Sequence, residues 1–152
     1  MFLPVLRHPW SWAAGLRQHR RYFHRSRPGL RTFDPVRSED ELYTLLMLST
    51  SRRLPLITLW SASWCPSCRT IRPLVQDLVD ERAKSGLLLG FAEVEIDLPT
   101  TSSLSSRYSI NSIPTILAFH KGSALDNRIV DTRRARDSRY LANWLHECGA
   151  AR

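Results

Sequence analysis

Two cysteines stand where a buried strand gives way to a long helix, and this junction constrains the fold more than any other part of the chain. Residues 54–61 (LPLITLWS) are apolar and strand-like, and WCPSC follows at residues 64–68. From residue 66 to residue 84 the apolar side chains recur at helical spacing, and Gly86 marks the end of that helix. Proline suits the first helical position, where the N–H has no partner, so Cys65 is predicted to cap the helix.

The spacing of the two cysteines supplies both halves of a thiol–disulfide exchange. The N–H groups and the dipole of a helix N-terminus stabilise an anion, and a cysteine placed there has a pKa of roughly 3.5–7.5 instead of about 8.5. Cys68 lies three residues after Cys65, one turn away on the same helix face. Cys65 is therefore the candidate nucleophile, and Cys68 is the candidate thiol that resolves a mixed disulfide.

Three other interpretations of the cysteine pair stay open at this point. A purely structural disulfide would close a ring of four residues and constrain little of the unfolded chain. A zinc site needs four ligands, and the further candidates His146 and Cys148 do not share a helix face. We therefore expect no metal, and we expect Cys148 to be a spectator. Two ordinary buried cysteines would need neither the tryptophan nor the proline beside them.

Several motifs together resemble the thioredoxin family over residues 30–149. WCPSC follows a hydrophobic strand where that family has its active site, and Pro73 matches the family's kink proline five residues after the second cysteine. The segment SINSIPTILAFHKG at residues 109–122 resembles the family's loop and strand with a cis proline, which implies a cis Ile113–Pro114 peptide. The resemblance implies a substrate-binding surface made of Trp64, Ile113 and Pro114, with Ile113 pairing with the substrate backbone.

The resemblance also implies a fold, a reaction and partners. The expected fold class is α/β, the thioredoxin fold, with a central mixed β-sheet flanked by helices on both faces. The expected reaction is protein-disulfide reduction in cell redox homeostasis, in which Cys65 and Cys68 cycle through a redox-active disulfide. We expect no cofactor, disulfide-containing protein substrates, an electron donor of the thioredoxin-reductase type, and a monomer.

Local patterns predict the remaining elements. Ser38 and Glu41 form a capping box at the start of a helix that continues to about residue 51. The further expected elements are a weak strand at 30–33, a strand at 87–97, a short helix at 100–108, two strands within 114–131 joined by a turn at 121–123, and a closing helix at 136–148.

Four features depart from the family, and the first is the central dipeptide Pro66-Ser67, where the family's reductants usually have Gly-Pro. Leu59, six residues before Cys65, stands where the family has a buried aspartate that moves the proton of the resolving thiol. Glu93, on the neighbouring strand, stands where the family often has a lysine. We hypothesise that Glu93 is the acid–base group for Cys68; the alternative is a solvated strand residue. The family's glycine near the last helix is replaced by VDTRRAR at 130–136, which changes the rim of the docking surface.

The positive charge is concentrated at the start of the chain. The net charge is +8, yet residues 1–33 hold seven arginines and no acid, and residues 34–152 hold 15 basic and 14 acidic residues. We predict that residues 1–33 are a presequence for the mitochondrial matrix, cleaved near Tyr22 or Phe23, and that residues 34–152 are the thioredoxin-like domain. A secretory signal or a basic tail without a targeting role are the alternatives.

The same distribution argues against other partners. A nucleic-acid-binding protein should carry its basic footprint on the folded part, which is nearly neutral here. No apolar run reaches the about 18 residues of a membrane span, so we expect no membrane partner. Two other functions stay open: a protein-binding module with little turnover, and a glutathione-dependent, glutaredoxin-like activity that shares the CPxC pattern.

Overall fold

The computed structural model describes residues 32–150 of the 152-residue chain. Residues 1–31 of the predicted presequence, with its cleavage point, lie outside the described residues, whereas Thr32 and Phe33 are described and pair with Phe91. The presequence and the division at residue 34 stay predictions. Among the described helices, none combines the length and the apolar character that a membrane crossing needs.

A mixed sheet forms the centre of the molecule, as the sequence predicts, and it has four strands instead of the five expected. Its spatial order is β2-β1-β3-β4; β1 runs parallel to β2 and antiparallel to β3, and β3 runs antiparallel to β4. The strands are β1 Leu56–Ser61, β2 Gly90–Glu95, β3 Thr115–His120 and β4 Ser123–Ala124.

Helices cover both faces of the sheet. One buried cluster joins Ile57 and Leu59 of β1 to α2, α4 and α5, and the other joins Leu56 and Trp60 of β1 to α1 and α3. Alternate residues of β1 therefore point into opposite clusters, as the pleat requires. The helices are α1 Glu39–Ser51, α2 Pro66–Lys84, α3 Ser102–Arg107 after a short 3-10 turn, α4 Thr132–Arg136 and α5 Ser138–Ala150.

The N-termini of α1 and α2 begin where the sequence predicts. The Ser38 hydroxyl accepts from the Glu41 backbone N–H at 3.2 Å and caps α1. In a capping box the Glu41 carboxylate would accept from the Ser38 backbone N–H. Here it accepts instead from the backbone N–H of the preceding residue, Arg37, at 2.6 Å. Helix α2 begins at Pro66 and ends at Lys84, with Gly86 at a φ of 90° just beyond it.

Several predicted elements are shorter than expected. The first strand is reduced within the described residues to two parallel bridges, Thr32 to Phe91 and Val36 to Val94. The second strand of the hairpin has only two residues. A separate helix, α4, precedes the closing helix, and the apolar pattern of the sequence did not predict it. Helix α4 spans little more than one turn, which is too short to produce a periodic apolar pattern.

Candidate active site

The two cysteines lie at the junction between β1 and α2. Cys65 occupies the N-cap of α2 with φ −88° and ψ 104°, and its Sγ accepts from the Cys68 backbone N–H at 3.2 Å. The two side chains are joined in a disulfide, with Cα atoms 5.4 Å apart. Both cysteines are buried, and Cys65, at 4% exposed, is slightly more accessible than Cys68, at 1%. The predicted helix cap is confirmed, and the cysteines are brought together as expected.

The predicted substrate-binding residues come from both sides of the junction. Trp64 is 69% exposed beside Cys65, Ile113 is half-buried and Pro114 is buried. The Ile113–Pro114 peptide is cis, which confirms that prediction. Strand β3 begins just after Pro114 and pairs its first residue, Thr115, with Trp60 near the end of β1. Pro114 therefore lies at the same end of the sheet as the cysteines.

Glu93 lies across from Leu59 in the parallel register of β1 and β2, as the sequence comparison with the family predicts. Its side chain is only 13% exposed. One carboxylate oxygen accepts from the Ser61 hydroxyl at 2.7 Å, and the other lies 3.0 Å from an Arg72 guanidinium nitrogen. Both oxygens are thus engaged, so Glu93 is not a freely solvated strand residue.

The position of Arg72 connects Glu93 to the cysteines. Arg72 follows Cys68 by four residues on α2, so the two side chains project from the same side of the helix. Leu59, the strand neighbour of Glu93, packs in the same cluster as Ile71 of α2. Glu93 therefore lies on the sheet face that α2 covers. Its acid–base role stays a prediction, and within residues 32–150 no hydrogen bond joins it to Cys68.

Two charged residues at the site were missed by sequence reasoning. Asp97 accepts from the Ser63 N–H at 3.0 Å and from the Ser63 hydroxyl at 2.6 Å, just before Trp64. The Ser63 hydroxyl, and after it the Ser63 N–H, hold the pKa of the Asp97 carboxyl below its usual value. The Arg136 guanidinium donates to the Ser67 hydroxyl at 3.4 Å, between the two cysteines. The only sequence signal for Arg136 was the arginine-rich stretch that replaces the family's glycine.

The third cysteine lies away from this chemistry. Cys148 is fully buried in the cluster that contains α2 and α5, and burial raises the pKa of its thiol to about 12. The Asn127 amide, 4.0 Å from its sulfur, opposes that shift only in part. At neutral pH the thiol is protonated and inaccessible, which agrees with the expected spectator. Over residues 32–150 no three His, Cys, Asp or Glu side chains are grouped closely enough to hold a metal ion.

The arrangement suits thiol–disulfide exchange between the Cys65–Cys68 pair and a second pair of cysteine sulfurs. An oxidised pair lies at a helix N-terminus, where a thiolate is stabilised on reduction. An exposed aromatic side chain, Trp64, precedes it in the chain, and the cis-proline loop lies at the same end of the sheet. Cys68, the residue expected to resolve the mixed disulfide, is almost fully buried. Such a site can accept two electrons as a disulfide and donate two as a dithiol.

Comparison with known proteins identifies the thioredoxin family. The family model described as Thioredoxin matches residues 39–147. A thioredoxin of Mycoplasmoides gallisepticum is 28% identical over 83 residues, which cover 55% of this chain and 75% of that protein. The chloroplastic thioredoxin M4 of Arabidopsis thaliana is 30% identical over 113 residues, 74% of this chain and 54% of the relative.

Solved structures of thioredoxins share the fold. Thioredoxin O1 of Arabidopsis thaliana in its oxidised state matches with a TM-score of 0.58 at 26% identity, covering 76% of this chain and 96% of that one. The thioredoxin of Fasciola hepatica matches with a TM-score of 0.61 at 21% identity, covering 76% and 98%.

Proposed function

This chain belongs to the thioredoxin family of thiol–disulfide oxidoreductases, and from that premise we propose that it reduces disulfides in protein substrates. The observation that carries the proposal is the Cys65–Cys68 pair, with Cys65 capping α2 and Cys68 behind it. A helix N-terminus lowers the pKa of a cysteine and so supplies the thiolate that exchange requires.

The reaction proceeds in two exchanges. The Cys65 thiolate attacks a substrate disulfide: a bond forms between Cys65 and one substrate sulfur, the substrate disulfide breaks, and the departing sulfur takes up a proton. Cys68 then loses its proton and attacks the Cys65 sulfur, which forms the Cys65–Cys68 disulfide and releases the second substrate thiol. Two electrons and two protons pass to the substrate.

The oxidised pair has to be reduced again before the next turnover. We assign this step to a thioredoxin-reductase-type donor, because the chain's own sulfurs can carry only two electrons. The protein would then contribute to cell redox homeostasis as a monomer, with no cofactor of its own. Trp64, Ile113 and Pro114 would hold the substrate segment against the attacking sulfur.

The activity is tested with the full chain and a small dithiol as electron donor. Reduction of a protein disulfide should exceed the rate with dithiol alone, and Cys65→Ser should abolish that excess. Cys68→Ser should accumulate a mixed disulfide, visible as a mass increase of one substrate chain. Cys148→Ala is the matched control, and it should retain the activity because Cys148 is buried away from the exchange.

A binding module with little turnover is the second candidate. The specific observation in its favour is Leu59, fully buried where the family has its proton-shuttling aspartate. Binding of a protein substrate by the full chain, with no excess reduction over dithiol alone, would favour this candidate and contradict the reductase.

Delivery to the mitochondrial matrix is the part of the proposal that concerns residues 1–33. Their seven arginines without an acid are typical of a matrix presequence. A fluorescent reporter fused to these residues should enter mitochondria, and a version with all seven arginines changed to glutamine should stay outside. Secretion of the reporter, or a uniform distribution in the cell, would contradict this assignment.

A further inference from the structure

Four exposed arginines lie close together in the chain, and one of them, Arg136, contacts Ser67 between the two cysteines. We refer to the four as the basic rim. They belong to α4 and to the start of α5, and each is exposed. In the part of the chain from 32 to 150, no carboxylate lies within 4.0 Å of any of these guanidinium groups. The basic rim consists of Arg133, Arg134, Arg136 and Arg139.

The two acids in the same segment are used as helix caps. Asp131 accepts from the backbone N–H of Arg133 at 2.8 Å, at the start of α4. Asp137 accepts from the N–H groups of Arg139 and Tyr140 at 2.9 and 3.1 Å, at the start of α5. Both carboxylates therefore face backbone donors, and the segment keeps more positive than negative charge.

The basic rim has a defined position relative to the cysteines. Arg136 donates to the Ser67 hydroxyl at 3.4 Å, and Ser67 is the residue just before Cys68. Helix α4 is anchored by Ala135, which is buried in the same cluster as Ile71 of α2. Arg133 precedes Arg136 by three residues and so lies on the same side of α4.

The charge around the site is asymmetric. On the other side of the cysteines, Asp97 is bound to Ser63, immediately before Trp64. A substrate segment across Trp64 and Cys65 would thus have the Asp97 carboxylate near Ser63 and, near Ser67, the Arg136 guanidinium, which has no carboxylate partner among the described residues. Opposite charges across such a contact accelerate encounter and fix the orientation of the bound segment.

We propose that the basic rim selects disulfide substrates whose reactive cysteine is flanked by acidic residues. The inference rests on the proposed reductase function and names the class of protein segment that this site prefers. Guanidinium groups bind carboxylates through paired N–H donors, and the attraction reaches about 10 Å at an ionic strength of 0.1 M. The preference should therefore be strong in dilute salt and weak in concentrated salt.

Two synthetic disulfide peptides of equal length test the proposal, one with two aspartates beside a cysteine and one with two lysines there. With the full chain and a small dithiol, kcat/KM should be about tenfold higher for the acidic peptide at low ionic strength. The ratio should fall towards one at about 1 M salt, where the screening length is about 3 Å. R133Q/R136Q should reduce the ratio at low salt, and R133E/R136E should invert it.

The matched control is R52Q/K84Q. Arg52 and Lys84 are also exposed, but they lie at the C-terminal ends of α1 and α2, away from the cysteines. Every variant keeps the seven arginines of residues 1–33, so a change in the ratio belongs to the substituted positions. An equal ratio in the parent chain, R133Q/R136Q and R52Q/K84Q would overturn the proposal while leaving the reductase function standing.

Failure of the proposed function gives a different result. A parent chain that reduces neither peptide faster than dithiol alone contradicts the reductase function itself. In that case the acidic peptide with serines in place of its cysteines is titrated calorimetrically into the oxidised chain. Binding that R133Q/R136Q weakens and R52Q/K84Q preserves supports the basic rim, and binding that is equal in all three chains overturns it.

Discussion

At the scale of single residues, Glu93 is the group whose role depends most on its neighbours. Its carboxylate is held by Ser61 and Arg72 on the sheet face that α2 covers. Our hypothesis is that this carboxylate takes the proton that Cys68 loses when it attacks the mixed disulfide. Leu59 leaves the family's usual aspartate position without a charge, so Glu93 is the candidate that the structure offers.

Substitution of Glu93 by glutamine tests that role. We expect Glu93→Gln to slow the release of the mixed disulfide by about 100-fold, since general acid–base groups contribute about 10²–10⁴. Rapid-quench kinetics with a trapped substrate would measure this step and its dependence on pH. Arg72→Gln is the control, because it keeps the carboxylate and removes only its ion pair. An unchanged rate at every pH would rule out the acid–base role.

The buried thiol of Cys148 leads to a prediction about labelling. Its raised pKa and its burial should prevent alkylation of the oxidised, folded chain at pH 8, whereas one thiol should react after denaturation. Mass spectrometry after treatment with iodoacetamide would count the labelled thiols. Rapid labelling of Cys148 in the folded chain would contradict this expectation.

The same thiol makes stability depend on pH in the alkaline range. The pKa of Cys148 rises from 9.0 to about 12 on folding, so the unfolded chain loses this proton first. Its contribution to the free energy of unfolding is complete below pH 9 and declines as the pH rises towards 12. Over that window, the free energy of unfolding measured with urea should fall more steeply for the parent chain than for Cys148→Ala. If the free energy of unfolding fell equally steeply with pH in both chains, the raised pKa of Cys148 would be contradicted.

At the scale of elements, the helix caps are the features that sequence and structure share most closely. Ser38 and Cys65 both occupy N-caps, and both accept a hydrogen bond from the N–H three residues on. We expect Ser38→Ala to lower the free energy of unfolding by about 0.5–2 kcal/mol, because it leaves the first turn of α1 without its side-chain acceptor. Urea denaturation would measure this loss.

The exposed serine Ser106 of α3 supplies the matched control. Ser106→Ala should change the free energy of unfolding by less than about 0.5 kcal/mol, as surface substitutions away from special features do. An equal effect of the two substitutions would mean that the Ser38 cap does not stabilise α1.

At the scale of the whole molecule, the two buried clusters share β1, which contributes alternate side chains to each. We expect this shared strand to make unfolding a single cooperative transition. Ile57→Ala, in one cluster, should cost about 2–5 kcal/mol, and Phe119→Ala, in the other, about 3–5 kcal/mol. The exposed Met47 gives the control, and Met47→Ala should change stability by less than about 0.5 kcal/mol.

Two probes would check the cooperativity. Tryptophan fluorescence and far-ultraviolet circular dichroism should give the same urea midpoint for each variant. Midpoints that separate in Ile57→Ala or Phe119→Ala would mean that the two faces of the sheet unfold independently.

The sequence by itself determined the elements that repeat a local pattern. The start of α2 at Pro66 and the cap at Cys65 follow from residues within a few positions of each other, whereas the cis bond before Pro114 was predicted from the resemblance to the family. Helix spacing, proline geometry and capping act over one or two turns, so a short stretch contains the whole signal. Helix α4 was not predicted, because five residues are too few to show a repeating apolar pattern.

Only the tertiary structure decided which side chains the charged groups contact at the site. Glu93 and Ser61 are 32 residues apart, and Arg136 and Ser67 are 69 residues apart. Their contacts depend on the register of β1 against β2 and on the packing of α4 against α2 through Ala135. A local pattern does not encode these distances, because they arise from the packing of elements that are remote in the chain.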